Sequence, residues 1–309
     1  MHNVFYSVLP IFLIALLGRV IRSKWLVSDE FWRGLEKLSF YILFPTVLFQ
    51  YSSQMDLNSS EFLQLIMSLI VSTLIVSAML VAYQTTRPYT RVQFTSVFQG
   101  ATRYNSYTFF ALGAALFGEE GLTIVATISP YMLVLTNITS VIVFTHYIPK
   151  GEGLTKRKSG SLMLRSIAAN PFVLASIAGV LFNYLDLTLN IGVEKTIQNL
   201  SSSALTIGML IVGAGIKIKV KPQHFKQVVF TSGVKLIVMP IVTFIVLWLF
   251  GITGTARSVG ILFSCLPCAT SSYILSRQLG GDPETMSSII TFTAIFSILS
   301  LSLLVYILG

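Results

Sequence analysis

Apolar residues along this chain gather into ten long stretches, at roughly 3–21, 34–53, 62–83, 92–118, 121–147, 163–185, 195–216, 227–250, 256–276 and 286–308. Each approaches the roughly 20 residues that an α-helix needs to cross the hydrocarbon core of a bilayer. Polar and charged residues collect between them. The pattern predicts an all-α membrane protein of ten transmembrane helices. The stretches also repeat. Leu9-Pro10-Ile11-Phe12 with Gly18 returns as Asn170-Pro171-Phe172-Val173 with Gly179, 161 positions later. Leu35-Glu36-Lys37-Leu38-Ser39 returns as Ile197-Gln198-Asn199-Leu200-Ser201 after 162, and Leu116-Phe117-Gly118-Glu119 as Leu279-Gly280-Gly281-Asp282 after 163. The shared offset predicts two five-helix repeats, 1–147 and 163–309, joined by a basic linker at 148–162. Five is odd, so the second repeat enters the membrane from the opposite side. An inverted 5+5 repeat of this kind is how many secondary transporters are built.

Composition supports the membrane reading. Of 309 residues, 54% are hydrophobic and only 11% charged, against about 25% charged in a soluble domain. Mean hydropathy is +0.78. The net charge of +9 would suggest nucleic acid in a soluble protein, but here it fits basic loops facing anionic lipid. Placing the N-terminus outside puts 17 of the 21 Lys and Arg on the cytoplasmic side, so both termini are expected on the non-cytoplasmic side. The run from Val4 to Leu17 lacks a basic leader region and a cleavage site, and reads as a first span. Cys265 and Cys268 have CxxC spacing inside a span with no His nearby, which reads as a chance pair. No metal or cofactor is implied.

Two basic residues remain inside spans, Arg103 and Lys235, whereas all 12 Asp and Glu fall in loops or at span ends. An intramembrane charge is a functional candidate by default. Arg103 lies about twelve residues into span 4, near the midplane at 1.5 Å per residue, and an anionic substrate is its natural partner. Lys235, nearer the cytoplasmic end of span 8, is expected to snorkel to the interface. Around Arg103, span 4 reads Gln99-Gly100-Ala101-Thr102-Arg103-Tyr104-Asn105-Ser106-Tyr107, too polar for a lipid-facing helix. A break is expected near 103–106, with Asn105 or Ser106 capping a new half-helix. The repeat partner in span 9, Cys265-Leu266-Pro267-Cys268-Ala269-Thr270-Ser271-Ser272, breaks at Pro267. Paired breaks at equivalent positions point to a transporter's binding site, where two half-helix N-termini offer N–H groups and positive dipole ends to an anion. The candidate substrate-binding residues are Arg103, Tyr104, Asn105, Ser106, Pro267, Cys268, Ala269, Thr270 and Ser271. Ser39, Ser201 and Asn137 join them as polar positions in other spans. Thr291, Thr293 and Ser297 are further candidates for lining the path.

Ten spans, the paired breaks, Arg103-Tyr104-Asn105-Ser106-Tyr107 followed by Ala114-Ala115-Leu116-Phe117-Gly118, Leu266-Pro267 leading to Leu279-Gly280-Gly281-Asp282, and Ala169-Asn170-Pro171 together resemble the auxin efflux carrier family, within the bile acid/sodium symporter superfamily. The resemblance covers the whole chain. It implies a scaffold of spans 1, 2, 6 and 7 and a transport domain of spans 3–5 and 8–10 moving elevator-fashion, with spans 4 and 9 crossing at their breaks. It also implies a substrate contact at Asn105 and a homodimer through the scaffold. The family's plant members carry proline at both crossings; span 4 here has none. The carboxylates that sodium-dependent relatives place near the crossing are also missing.

The leading function class is therefore a carrier for a small organic anion, a mono- or dicarboxylate such as a malonate-like or auxin-like molecule, in a bacterial inner membrane. A sodium-coupled carrier of the bile-acid-symporter kind is the alternative. An intramembrane enzyme would need an acid, base or metal cluster within the spans, and none is present. A channel would need a filter-like segment, and none stands out.

Overall fold

The structure, a computed structural model, describes residues 2–54, 60–148, 168–216 and 224–308. The basic linker, its lysines, and Lys217, Lys219 and Lys221 lie largely or wholly outside the described residues. Among those described the chain is all-helical. In order, the helices are α1 (His2–Lys24), α2 (Asp29–Leu38), α3 (Phe44–Ser52), α4 (Ser60–Thr86), α5 (Arg91–Thr102), α6 (Ser106–Tyr147), α7 (Pro171–Tyr184), α8 (Ile191–Gly215), α9 (Phe225–Gly233), α10 (Met239–Leu249), α11 (Gly254–Cys265), α12 (Ser271–Gln278) and α13 (Pro283–Leu308). Helices at Glu61–Thr86, Arg91–Tyr147, Ile191–Gly215 and Phe225–Leu249 are long and apolar enough to cross a membrane.

Several spans are assembled from more than one segment, for local reasons. α2 and α3 are joined by a π-helical turn at Ser39–Leu43, and α9 and α10 by another at Val234–Val238. Pro45 and Pro240 each follow two residues later. Their rings cannot donate to, and crowd, the carbonyl four residues back, so the ladder widens by one residue there. α6 is interrupted at Gly118, whose φ of 61° and ψ of −146° are open to glycine and strained for other residues. α12 is followed by Gly280 with φ 76°, and there the Gly281 N–H reaches back to Ser276 O.

The chain divides into two compact units, both discontinuous in sequence. Unit 1 comprises Met1–Leu63, Ser106–Pro130 and Ile167–Gly215. Its helices meet where a side chain is absent. A Cβ at Gly18 would collide with the backbone of Leu210, and one at Gly213 with the Ala15 carbonyl, so α1 and α8 touch main chain to main chain. On α7, a Cβ at Gly179 would lie 2.7 Å from Phe49 O of α3. Small residues allow such approach in membrane helices, where lipid gives no hydrophobic drive between helices. Fully buried Phe44 anchors the unit, stacked on Tyr107 at 4.6 Å and edge-on to Phe110 at 5.4 Å. Asn170 caps α7 through Phe172 N at 2.9 Å, with Pro171 at the first helical position.

Unit 2 comprises Gln64–Asn105, Tyr131–Ser166 and Ile216–Gly309. At its centre α5 and α11 are buried on all sides over Phe94–Thr102 and Val259–Cys265. Both sequences mix polar with apolar residues, the signature of helices packed within protein rather than against lipid. Gly100 lets α5 settle against Thr231 of α9 and Ile289 of α13, either of which a Cβ would meet at 2.6 Å. Asp282 caps α13, accepting from Glu284 N at 3.1 Å and Thr285 N at 3.0 Å, and its carbonyl accepts from Ser96 of α5 at 2.9 Å.

Candidate functional site

Two interrupted helices in unit 2 create the site. α5 stops after Thr102; its last helical bond runs from Arg103 N to Gln99 O at 2.9 Å, and Arg103 itself is extended, φ −80° and ψ 154°. α11 stops at Cys265, and Leu266 is extended, φ −66° and ψ 148°. A residue preceding proline is driven out of the helical region, which accounts for Leu266. Span 4 has no proline to do this. There the break is held from outside: the Asn105 N–H donates to Pro267 O at 2.9 Å, tying one extended segment to the other. The Cys268 N–H donates to Thr293 Oγ1 of α13 at 3.1 Å, which satisfies a backbone donor the break would otherwise orphan.

Arg103 projects from this crossing and is 8% exposed. Its Nη1 donates to Asn137 Oδ1 at 2.6 Å and its Nη2 to Ser271 Oγ at 3.0 Å. Its Nε–H is buried and has no partner. Both partners are neutral, and no carboxylate pairs with Arg103 among the described residues. Asn137 is half-buried, and Ser271, the first residue of α12, is exposed. Each feature favours a bound anion: an uncompensated cation, a fork of donors, and a helix N-terminus.

The structure thus gathers Arg103, Tyr104, Asn105, Asn137, Pro267, Cys268, Ala269, Thr270 and Ser271 within unit 2. Ser106 opens α6 directly after Asn105. Ser39 and Ser201 belong to unit 1, where both are buried. The candidate path residues Thr291, Thr293 and Ser297 are 2%, 0% and 2% exposed. Thr293 buttresses the crossing instead of lining a passage, because its hydroxyl is spent on Ile289 O at 2.8 Å and Cys268 N. Cys265 and Cys268 are both buried free thiols.

Sequence reasoning missed two contributors and misplaced a third residue. Gln99 donates from Nε2 to Ser276 Oγ at 3.2 Å and lends its carbonyl to Arg103 N. Phe263 packs edge-on against Tyr104 with ring centroids 4.7 Å apart. The third is Lys235. The expectation of snorkelling fails: Lys235 is fully buried, its Nζ has no hydrogen-bond partner, and its recorded neighbour is the Phe263 ring at 5.8 Å. It sits in the π-helical turn before Pro240, packed between α5, α11 and α13, so its stem is turned inward.

Residues 3–305 match the family described as membrane transport protein. The chain belongs to the auxin efflux carrier family. It is 24% identical over 300 residues to an uncharacterized transporter of Methanothermobacter thermautotrophicus, covering 96% of each chain. An uncharacterized transporter of Methanocaldococcus jannaschii is 23% identical over 309 residues, again 96% of each. A Rhizobium meliloti protein, provisionally named a malonate transporter, is 24% identical over 160 residues, half of each chain. As a member of the auxin efflux carrier family, the chain is an integral membrane transporter and not an enzyme.

Proposed function

We propose that this protein is a secondary carrier for a small organic anion, and that unit 2 holds the anion at Arg103. The observation that carries this reading is a buried guanidinium bonded only to neutral groups, Asn137 and Ser271. Such a charge is costly without a counter-ion, and a carboxylate is the group its planar fork fits. Thr270 and Ser271 add hydroxyls beside the first turn of α12. The name of the Rhizobium meliloti relative makes malonate the first probe.

We further propose that the chain is an inverted repeat working by an elevator-type exchange of access, with unit 2 as carrier and unit 1 as scaffold. Two relations support the repeat. Gly18 abuts Leu210 and Gly179 abuts Phe49; Gly179 and Leu210 stand 161 positions after Gly18 and Phe49, so the contact is made twice with the roles of the halves exchanged. Likewise Gly118 and Gly280, 162 positions apart, both have positive φ and follow the half-helix beyond a break. Each unit draws from both halves of the chain.

The test is transport by protein in proteoliposomes, following counterflow of labelled malonate and currents on a solid-supported membrane across a panel of carboxylates. Arg103→Ala should lower kcat/KM at least ~100-fold, the scale of losing two charge-assisted hydrogen bonds. Arg103→Lys should recover little, because a point charge does not reproduce the fork. Transport unchanged in Arg103→Ala would remove Arg103 from the site.

A further inference from the structure

The turn between α1 and α2, in unit 1, carries three consecutive apolar residues where a loop is ordinarily polar. Trp25, Leu26 and Val27 lie outside any helix and are 73%, 42% and 65% exposed. An exposed apolar residue within a span is met by lipid tails. A run of three beyond the end of a helix would instead face water, and such a run marks a surface that something covers. The turn is firmly built. Trp25 N and Leu26 N both donate to Ile21 O at 2.9 Å, which closes α1. The Leu26 carbonyl accepts from Nε1 of buried Trp32 at 2.6 Å. Ser28 caps α2 by accepting from Glu30 N at 3.2 Å and Phe31 N at 3.4 Å. Arg22 clamps the base, donating from Nη1 to Ala214 O near the end of α8 at 3.2 Å and from Nη2 to Asp29 Oδ1 at 2.6 Å. These bonds fix the turn with Trp25 and Val27 facing outward.

The charges around the turn say what covers it. Lys24, Arg33 and Lys37 are exposed, and Arg33 and Lys37 stand four residues apart, on one face of α2. Of the three acids in this stretch, Asp29 is paired with Arg22, Glu36 is half-buried and Glu30 is exposed. Positive charge therefore prevails at the surface of the turn. A short apolar wedge led by a tryptophan and flanked by lysine and arginine suits the headgroup layer of an anionic membrane. A symmetric contact with a second copy would instead bring these cations against one another. We propose that the Trp25–Val27 turn is an interfacial anchor selective for anionic phospholipid. Trp25 and Val27 enter the layer between headgroups and acyl chains. Lys24, Arg33 and Lys37 reach up along their stems to the phosphates.

Fluorescence quenching in vesicles tests this. The full chain is reconstituted in an equal mixture of phosphatidylcholine and phosphatidylglycerol, with one lipid or the other brominated at the headgroup end of its acyl chains. Trp25 is one of three tryptophans, so its emission is the difference between wild type and Trp25→Phe. Both lipids should quench it, and brominated phosphatidylglycerol more strongly, with an enrichment of about fivefold for each cation that engages a phosphate. The combined Lys24→Gln, Arg33→Gln and Lys37→Gln variant should be quenched equally by the two lipids. Raised salt should remove the preference in wild type, which serves if that variant does not fold. Equal quenching by both lipids in wild type, or a preference that survives both the substitutions and the salt, overturns the proposal. Trp25 emission untouched by either brominated lipid also overturns it. Quenching by acrylamide would then place the turn in water, and protection from acrylamide would place it against a second copy. None of these outcomes bears on Arg103, so the anion-carrier reading stands or falls separately.

Discussion

In unit 1 the closest helix contacts are made where a side chain is missing; in unit 2 the densest interior is made where a charged or polar side chain is present. Gly18 and Gly213 let α1 and α8 meet backbone to backbone, and no Arg or Lys is among the buried side chains of unit 1 in the described residues. Its recorded ion pair, Arg22 with Asp29 at 2.6 Å, is exposed. Unit 2 buries Arg103, Lys235, Gln99 and a series of hydroxyls. Close main-chain contact suits a part that keeps one shape. Among the described residues, buried cationic side chains belong to unit 2.

The contrast can be broken from unit 1 first. Gly213→Leu drives a side chain into the Ala15 carbonyl and should have the largest effect, about 3 kcal/mol or more, read as a steep drop in melting temperature and yield of purified protein. An unchanged melt would show that α1 and α8 are not locked. On the other side, Thr293→Val keeps the shape but strips the acceptor from the Cys268 N–H. Leaving that buried donor unpaired should cost about 1–3 kcal/mol, visible as a lower melting temperature together with slower transport. Asn137→Ala should cost about 1 kcal/mol, roughly a fivefold rise in malonate KM with little change in melting, since Arg103 loses an orienting bond and no packing. Smallest of all, Cys265→Ala should stay within about 1 kcal/mol of wild type in the melt, with transport insensitive to reductant. A strong response there would give the cysteine pair a redox role.

The all-helical character was legible because lipid imposes one length on every helix that crosses it, and helices at Glu61–Thr86, Arg91–Tyr147, Ile191–Gly215 and Phe225–Leu249 meet that length. The span 9 break was legible because proline removes a donor and restricts its neighbour. The span 4 break could be read only as excess polarity, since what holds it open is a hydrogen bond to Pro267, 162 positions away. Arg103 stood out by charge, and its partner Asn137 by being polar within a span; the 2.6 Å between them is tertiary. Lys235 was misjudged because depth along a helix says nothing about which way a π-helical turn points the stem. Thr293 looked like a lining residue because a hydroxyl in sequence does not reveal whether it faces a passage or a neighbouring backbone.

The bond from Asn105 N to Pro267 O is made entirely by main chain. Any residue but proline at position 105 can donate it, and every residue at 267 can accept it. That bond is therefore indifferent to most of the side chains that flank it, although the extended backbone at Leu266 still relies on Pro267. If the proposed site is correct, side chains at 104, 105, 269, 270 and 271 can be exchanged for those suited to another anion without losing this bond. A lineage built on such a junction can diversify its substrates by point mutation while inheriting its architecture unchanged.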